Sequence, residues 1–589
     1  MKVLLEMLKR FGRILEAGEK WAFLAVIAAG VVVWSVTMVK SGWVYAYGMG
    51  FWGANGHDGI WHLALIESFL RGSFEMPVFA GETLRNYHVG FDLMVAGLAR
   101  LTGVAPVRWY FQILPPIMAA LIGFLVYRLV YMWRGSRWQA VWAVFFCYFG
   151  AGWGWVVEFI RSGTLGGESM FWAQGAISTL INPPYALSLV FIVSGLILVL
   201  QLREKLSFSR FLAAVFLWGV LLEVKVYAGI LVLVSFWVAL LWEFRVKKRQ
   251  SFYLWGVWGG VVLISGCLYA LFFRGSQGVL VWQPGWFLET MMGTDRLNWP
   301  KFYEAMVNYK MGGVWLKGGV AYLTAAVIFL LGNLGVRFLG FCSLKKVKEW
   351  VWLDVFILTL VICGMVLPML WVQKGTAWNT VQFFYYSLFF MGVWAGVYFG
   401  EWWEKRKMLG RWMLGLAVLG LILPATWGSL RHYLPNRPPA KISNEELTAM
   451  AFLRGLLKGA VLTYPFDRAA AEAEVDNPPR PLYLYESTAY VSAFSGKPVY
   501  LEDEVNLVIT GYDYQLRRER ALEFFRTGNI TWAKEFLENN GISYIYLTKG
   551  QGMRLDEDDL GWKKVFENQE VRVYRKGGGR EGQDVGLVR

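Results

Sequence analysis

The chain has 589 residues, 56% of them hydrophobic, and a mean hydropathy of +0.40. That is too apolar for a water-soluble protein of this length and indicates a multi-span membrane protein. The net charge of +15 does not mark a nucleic-acid partner, because the basic residues sit in short loops between apolar runs, as the positive-inside rule requires.

In chain order, the first twenty residues carry Lys2, Lys9, Arg10, Arg13 and Lys20, which places the N-terminus in the cytoplasm. A first span is predicted over 21–40, close to the ~20 residues a bilayer core needs. It lacks a small-residue cleavage site and reads as a retained span. A long external loop follows, 41–105. It holds His57, His62 and His88, three of the four histidines in the protein, with Asp58 and Asp92 among them. On helices, Asp58 and His62 share a face, and so do His88 and Asp92. Proton-transfer and metal-ligand chemistry are thus concentrated in this loop. The segment 86–102 is interrupted by Asp92 and two glycines. It is predicted to lie in the interface or re-enter, not to cross.

Further spans are predicted at 106–132, 138–158, 184–203, 209–226, 228–245, 253–273, 319–340, 351–372, 381–400 and 411–430, eleven in all with the first. The clusters Arg203–Lys205–Arg210, Arg245–Lys247–Lys248–Arg249, Lys345–Lys346–Lys348 and Lys405–Arg406–Lys407 then face the cytoplasm and the C-terminus lies outside. The segments 159–183, 274–318 and 373–386 are polar and aromatic and fall on the external side, which suggests a catalytic face. No internal repeat is evident, which counts against a secondary transporter. The four cysteines lie inside or at the edges of apolar runs and imply no disulfide framework.

Residues 1–430 therefore read as a transmembrane domain. Residues 431–440 form a linker, 441–576 a soluble α/β domain and 577–589 a disordered tail. In the soluble domain NEELTAMAFLRG (444–455) is a predicted helix with Asn444 as N-cap. AVLTY, PLYLY and KPVYL are predicted strands. YQLRRERALEFFRTG and ITWAKEFLENNG are predicted helices, ISYIYLTKG is a buried strand, and WKKVFEN–QEVRVYRK is a hairpin. The domain contains neither Cys nor His nor a phosphate-binding loop, so it is expected to bind or support, not to catalyse.

This ordering resembles the GT-C superfamily of membrane glycosyltransferases: a first span, a long external loop with an early acidic residue, interfacial helices, many spans, and a soluble external C-terminal domain. It is similar to the protein-mannosyltransferase and aminoarabinose-transferase branch. Three short pieces carry the resemblance: His57-Asp58-Gly59, the helix opened by His88 in NYHVGFDLMVAGLARLTG, and LEVKVYAG at 222–229. The second acid that often follows the family's aspartate is absent here, as are the prolines of its second helix and the WWD-type motif of oligosaccharyltransferases.

The resemblance implies a polyprenyl-phosphate-linked sugar as donor. The acceptor would be a protein, a lipid glycan or a polysaccharide on the extracytoplasmic face of the plasma (inner) membrane. Its hydroxyl would attack the anomeric carbon and displace the lipid phosphate. Asp58 is then the candidate base, the alternative being that it caps the helix starting at Gly59. His57, His62, His88 and Asp92 accompany it. His62 and His88 could orient Asp58, hold the acceptor, bind a divalent metal with Asp58 or Asp92, form a metal-free hydrogen-bonded cluster, or be ordinary interfacial histidines. Lys225 at an external turn is a candidate phosphate ligand, or else pairs with Glu223 or snorkels. Lys374 with Asn379 and Gln382 forms a second candidate donor-phosphate or sugar group, or else serves helix capping and loop hydrogen bonding; Arg296 is a third candidate, or else a solvated loop charge. The competing classes are a polytopic transporter or lipid flippase and a non-catalytic membrane scaffold.

Overall fold

The computed structural model describes residues 17–246, 252–273, 280–293, 296–373 and 376–577. Lys2, Lys9, Arg10 and Arg13, the loop residues Lys247, Lys248 and Arg249, the candidate Lys374, and all of the expected tail beyond Gly577 lie outside these.

Among the described residues nine helices are long and apolar enough to cross a membrane, from Glu19–Val39 to Met408–Tyr433. They correspond to nine of the eleven predicted spans. The other two are broken. The stretch expected at 138–158 is a pair of helices, Arg137–Phe149 and Gly154–Ser162, bent by 47°. The break falls at Gly150 and Gly152, where helix propensity is poorest. The stretch expected at 209–226 is split into Phe208–Gly219 and Leu221–Val224, each too short to cross alone. The helix expected over 86–102 is Gly90–Thr102, 13 residues long, likewise too short to span.

The chain divides into two compact units. The first comprises Met1–Thr37, Pro115–Leu271 and Leu280–Tyr433; among its described residues the regular structure is helical, apart from a two-stranded ladder of Leu280–Trp282 with Trp371–Gln373. Its centre is the Ala377–Glu404 helix, which packs along Arg137–Phe149. Small residues permit the approach: a Cβ on Gly396 would stand 2.3 Å from the Ala143 backbone, and one on Gly400 2.5 Å from that of Gln139. Where lipid and side chains are equally apolar, close backbone packing of this kind holds helices together.

The second unit comprises Met38–Leu114, Phe272–Val279 and Leu434–Arg589. The first loop is thereby built into the same unit as the sheet-containing C-terminal domain. Its strands Val44–Tyr45 and Gly48–Phe51 form a four-stranded sheet with Ala440–Ile442 and Arg480–Pro481. Met49 pairs with Ile442 and Phe51 with Ala440. Gly48 has φ 107°, and a Cβ there would lie 2.2 Å from the Ile442 carbonyl oxygen. A second sheet runs in the order Ala460–Thr463, Ile542–Thr548, Val571–Lys576, Trp562–Glu567.

The predicted helices at 444–455, 515–526 and 530–539 and the predicted hairpin are present. Three local expectations change. The N-cap of the first helix is Ser443, which forms a reciprocal capping box with Glu446. PLYLY is no strand: after the two-residue strand Arg480–Pro481, Leu482–Tyr485 turns helical. KPVYL is extended but lies outside both sheets. Its backbone is taken up by Val461 on one side, through a Tyr500 N–H to Val461 carbonyl bond of 2.8 Å, and by the first loop on the other. There Val499 donates to the Pro77 carbonyl (2.8 Å), and Ala80 donates to that of Val499 (2.9 Å). A segment whose hydrogen bonds are claimed by a distant loop reads as an ordinary strand in sequence.

Candidate active site

The clustered histidines and aspartates of the first loop separate into two pairs. The Asp58–Leu70 helix starts at Asp58 itself, with His57 as the N-cap residue. His57 Nδ1 lies 3.0 Å from Asp58 Oδ1, and its Nε2 lies 3.4 Å from Asp503 Oδ1. The ring is therefore clamped between two carboxylates. Burial works against charge on the imidazole, but Asp503 and then Asp58 outweigh it and hold its pKa well above the ordinary histidine value. Exposure runs along the chain of groups: the Asp58 side chain is 57% exposed, His57 10% and Asp503 0%. Only the aspartate that leads the helix faces outward.

Asp503 is itself firmly placed. It adopts φ 47° and caps the Glu504–Thr510 helix through the Asn506 N–H at 3.1 Å. Its second oxygen accepts from the Asn506 amide at 2.8 Å. A non-glycine residue in the left-handed region, held by a cap and facing a charged ring, is the kind of backbone outlier that functional sites retain.

The second pair is interior. His62 Nδ1 lies 2.8 Å from Asp92 Oδ1, with side-chain exposures of 8% and 0%. The His62 ring stacks on Tyr110 and meets Phe91 edge-on. This pair ties the Asp58–Leu70 helix to Gly90–Thr102 beneath the exposed carboxylate. His62 turns to Asp92 and not to Asp58. His88 precedes its helix, whose N-cap is Val89, so it shares no helical face with Asp92; its ring packs edge-on against Tyr87. Among the described residues no group of three or more His, Cys, Asp or Glu side chains is placed to hold a metal. The set Asp58, His62 and His88 does not assemble.

In the first unit, Lys225 occupies an extended break between Leu221–Val224 and Val226–Val246 and is buried. Its Nζ lies 3.4 Å from Asn182 Oδ1. The Asn182 amide donates to Gln382 Oε1 (3.3 Å), and Gln382 donates to Asn379 Oδ1 (3.2 Å). Lys225, Gln382 and Asn379, candidates from two separate stretches of sequence, thus belong to one polar chain. Asn182, at the head of Pro183–Glu204, is the link. Arg296 lies over the rings of Trp172 and Trp378, at 4.6 and 4.2 Å to their centroids, a cation–π arrangement that keeps the guanidinium planar and oriented.

Sequence reasoning missed Asp503 and Asn182. Neither carries a local signal beyond that of a helix cap, which each also is.

No protein-family model matches the sequence, and no curated protein matches it. Solved structures do. The oligosaccharyltransferase of Archaeoglobus fulgidus in its apo form superposes with a TM-score of 0.50 at 11% identity, over 89% of this chain and 69% of that one. The arabinofuranosyltransferase AftD from Mycobacteria gives 0.49 at 13% identity, over 95% and 40%. ArnT from Cupriavidus metallidurans gives 0.38 at 13% identity, over 95% and 98%. All three are GT-C superfamily membrane glycosyltransferases. The chain is a polytopic helical membrane protein with a sheet-containing C-terminal domain, and its fold is similar to that of the Archaeoglobus fulgidus oligosaccharyltransferase.

Proposed function

We propose that the protein is a membrane glycosyltransferase that moves a sugar from a polyprenyl-phosphate-linked donor to an acceptor hydroxyl on the extracytoplasmic face of the plasma (inner) membrane. The observation that carries this reading is the graded set Asp58–His57–Asp503, in which an exposed carboxylate is backed by a buried, charge-bearing imidazole. Asp58 accepts the proton of the attacking hydroxyl. The acceptor oxygen bonds to the anomeric carbon as the bond from that carbon to the phosphate oxygen breaks, and the polyprenyl phosphate leaves with the electron pair. His57 positions Asp58, and Asp503 holds His57 in place.

A leaving phosphate needs cations and hydrogen-bond donors. Lys225, with its Asn182–Gln382–Asn379 chain, supplies an ammonium and amides at a backbone break. Arg296, between two indoles, supplies a fixed guanidinium. Lys374 remains a further candidate for this role. A transporter needs ionisable groups near the bilayer midplane, whereas the exposed Asp58 sits in the unit that holds the soluble domain.

The test is sugar transfer in membranes containing the wild type or Asp58→Asn, with a panel of radiolabelled polyprenyl-phosphate sugars and endogenous acceptors. Transfer by the wild type that is lost in the variant, at equal expression, is the expected result. Undiminished transfer by Asp58→Asn overturns the role of Asp58. A wild type that neither binds nor consumes any donor overturns the enzyme class.

A further inference from the structure

The second unit contains a cavity of about 390 Å³. That lies within the roughly 300–1,000 Å³ typical of small-molecule sites, with room for one or two sugar rings and not for a folded partner. Its lining includes the aromatic residues Tyr464, Phe466 and Tyr483 and the polar residues Asp467, Glu486 and Gln551. Flat aromatic faces suit the C–H faces of a pyranose or furanose ring. Carboxylates and an amide suit its hydroxyls. The same acidic wall, opposed by the single lysine Lys549, repels phosphates, uronates and other anions.

Two further observations bear on what the cavity does. Thr488 lines it and is 4% exposed, and its hydroxyl has no hydrogen-bond partner among the described residues. A buried hydroxyl left in that state is costly unless something supplies the bond. The cavity also reaches the aspartate that holds His57. Asp503 forms part of its wall and faces His57 Nε2 at 3.4 Å, and the opposite ring nitrogen meets Asp58. Glu486, also in the wall, is electrostatically coupled to both His57 and Asp58. A ligand seated there lies one imidazole ring away from Asp58.

We infer that this cavity is a subsite for the acceptor, and that the acceptor is an uncharged carbohydrate of which one or two sugars, remote from the reacting hydroxyl, stack on Tyr464, Phe466 and Tyr483. The inference rests on the reading of Asp58 given above. It narrows the acceptor class from protein, lipid glycan or polysaccharide to a neutral glycan, and it gives the soluble domain the task of binding it.

Binding is measured on the full chain in lipid nanodiscs by saturation-transfer difference NMR. The probes are maltose, cellobiose, α-1,6-mannobiose and α-1,5-arabinobiose. A glucuronic-acid disaccharide and a threonine-containing hexapeptide serve as competitors of other classes. At least one neutral disaccharide is expected to bind, with affinity falling at least tenfold in Tyr483→Ala and in Glu486→Gln. Glu486 is exposed and the change to Gln is isosteric, so that variant tests the site without threatening the fold.

Absence of binding by all neutral disaccharides, binding indifferent to both cavity variants, or preferential binding of the uronate or the peptide each overturns the inference. The two readings fail separately. Transfer that depends on Asp58 with no sugar bound in the cavity removes only the acceptor site. Sugar bound in the cavity with transfer undiminished in Asp58→Asn removes the catalytic assignment on which the site's role depends.

Discussion

His57 from the first loop and Asp503 from the soluble domain face each other at 3.4 Å. The contact makes the C-terminal domain part of the candidate active site. The ring that meets Asp58 on one side is held on the other by a carboxylate from the far end of the chain, and the domain expected only to bind or support also sets the position of the candidate base.

Asp58→Asn is expected to lower sugar transfer by about two to four orders of magnitude, the usual contribution of a positioned general base. The side chain is 57% exposed, so the unfolding midpoint should hardly move. Single-turnover transfer and a thermal melt of the same preparation check both halves; loss of fold together with activity would reassign Asp58 to structure.

Asp503→Asn removes the charge that faces His57 and keeps the shape. Transfer should fall roughly tenfold to a hundredfold, through kcat more than KM, because geometry at Asp58 and not acceptor contact is lost. The pH–rate profile should shift as well. His57 is held protonated by Asp503 and Asp58 against the opposing effect of burial, so the variant's alkaline limb should move to lower pH. A simple structural role would lower activity without moving that limb.

Stability of the second unit should decline as pH rises from about 6 towards 9. The His57 pKa is raised in the folded protein. Its contribution is therefore fully present below the unfolded histidine value, about 6.5, and is lost as pH rises through the folded one. Glu502 acts in the same direction. Burial raises its carboxyl to about 8, against the lowering effect of N–H bonds from Val491 and Ser492. The unfolded chain releases that proton near pH 4.3, so stability falls between the two values. Melting midpoints at a series of pH values test this, and His57→Gln should flatten the upper part of the curve.

Lys225→Gln and Arg296→Lys are each expected to weaken use of the donor by about tenfold to a hundredfold, the worth of a charge-assisted hydrogen bond. Arg296→Lys keeps the charge but loses the planar stack on Trp172 and Trp378, so it is not a conservative change. Transfer measured against donor concentration separates these from Asp58→Asn: the donor KM should rise in both, and acceptor binding should stay as in the wild type.

Gly48→Ala should destabilise the second unit by about 1–3 kcal/mol, since the new Cβ meets the Ile442 carbonyl and φ is positive. Gly97→Ala, where a Cβ would have nothing within 4 Å, is the control and should be neutral or slightly stabilising. Thermal melts of the two variants decide.

Much of the architecture was written in local patterns. Nine of the eleven predicted spans are single helices of sufficient length, because a bilayer demands long uninterrupted apolar runs that any reading of composition detects. The helices and hairpin of the soluble domain, and the position of Asp58 at a helix start, were legible for the same reason: caps, glycines and periodicity act within a few residues. Tertiary structure decided which groups meet. His62 turned to Asp92 and left His57 to Asp58. KPVYL gave its hydrogen bonds to the first loop and Val461 instead of joining a sheet. Asn182 joined Lys225 to Gln382 and Asn379. Asp503 reached His57. Apart from His57 with Asp58 and Gln382 with Asn379, these partners are far from their counterparts in sequence, and a hydrogen bond leaves no periodic trace in the chain. Their pairing follows from which backbone and side-chain groups are brought together once the apolar faces have packed, and that is decided by the fold as a whole.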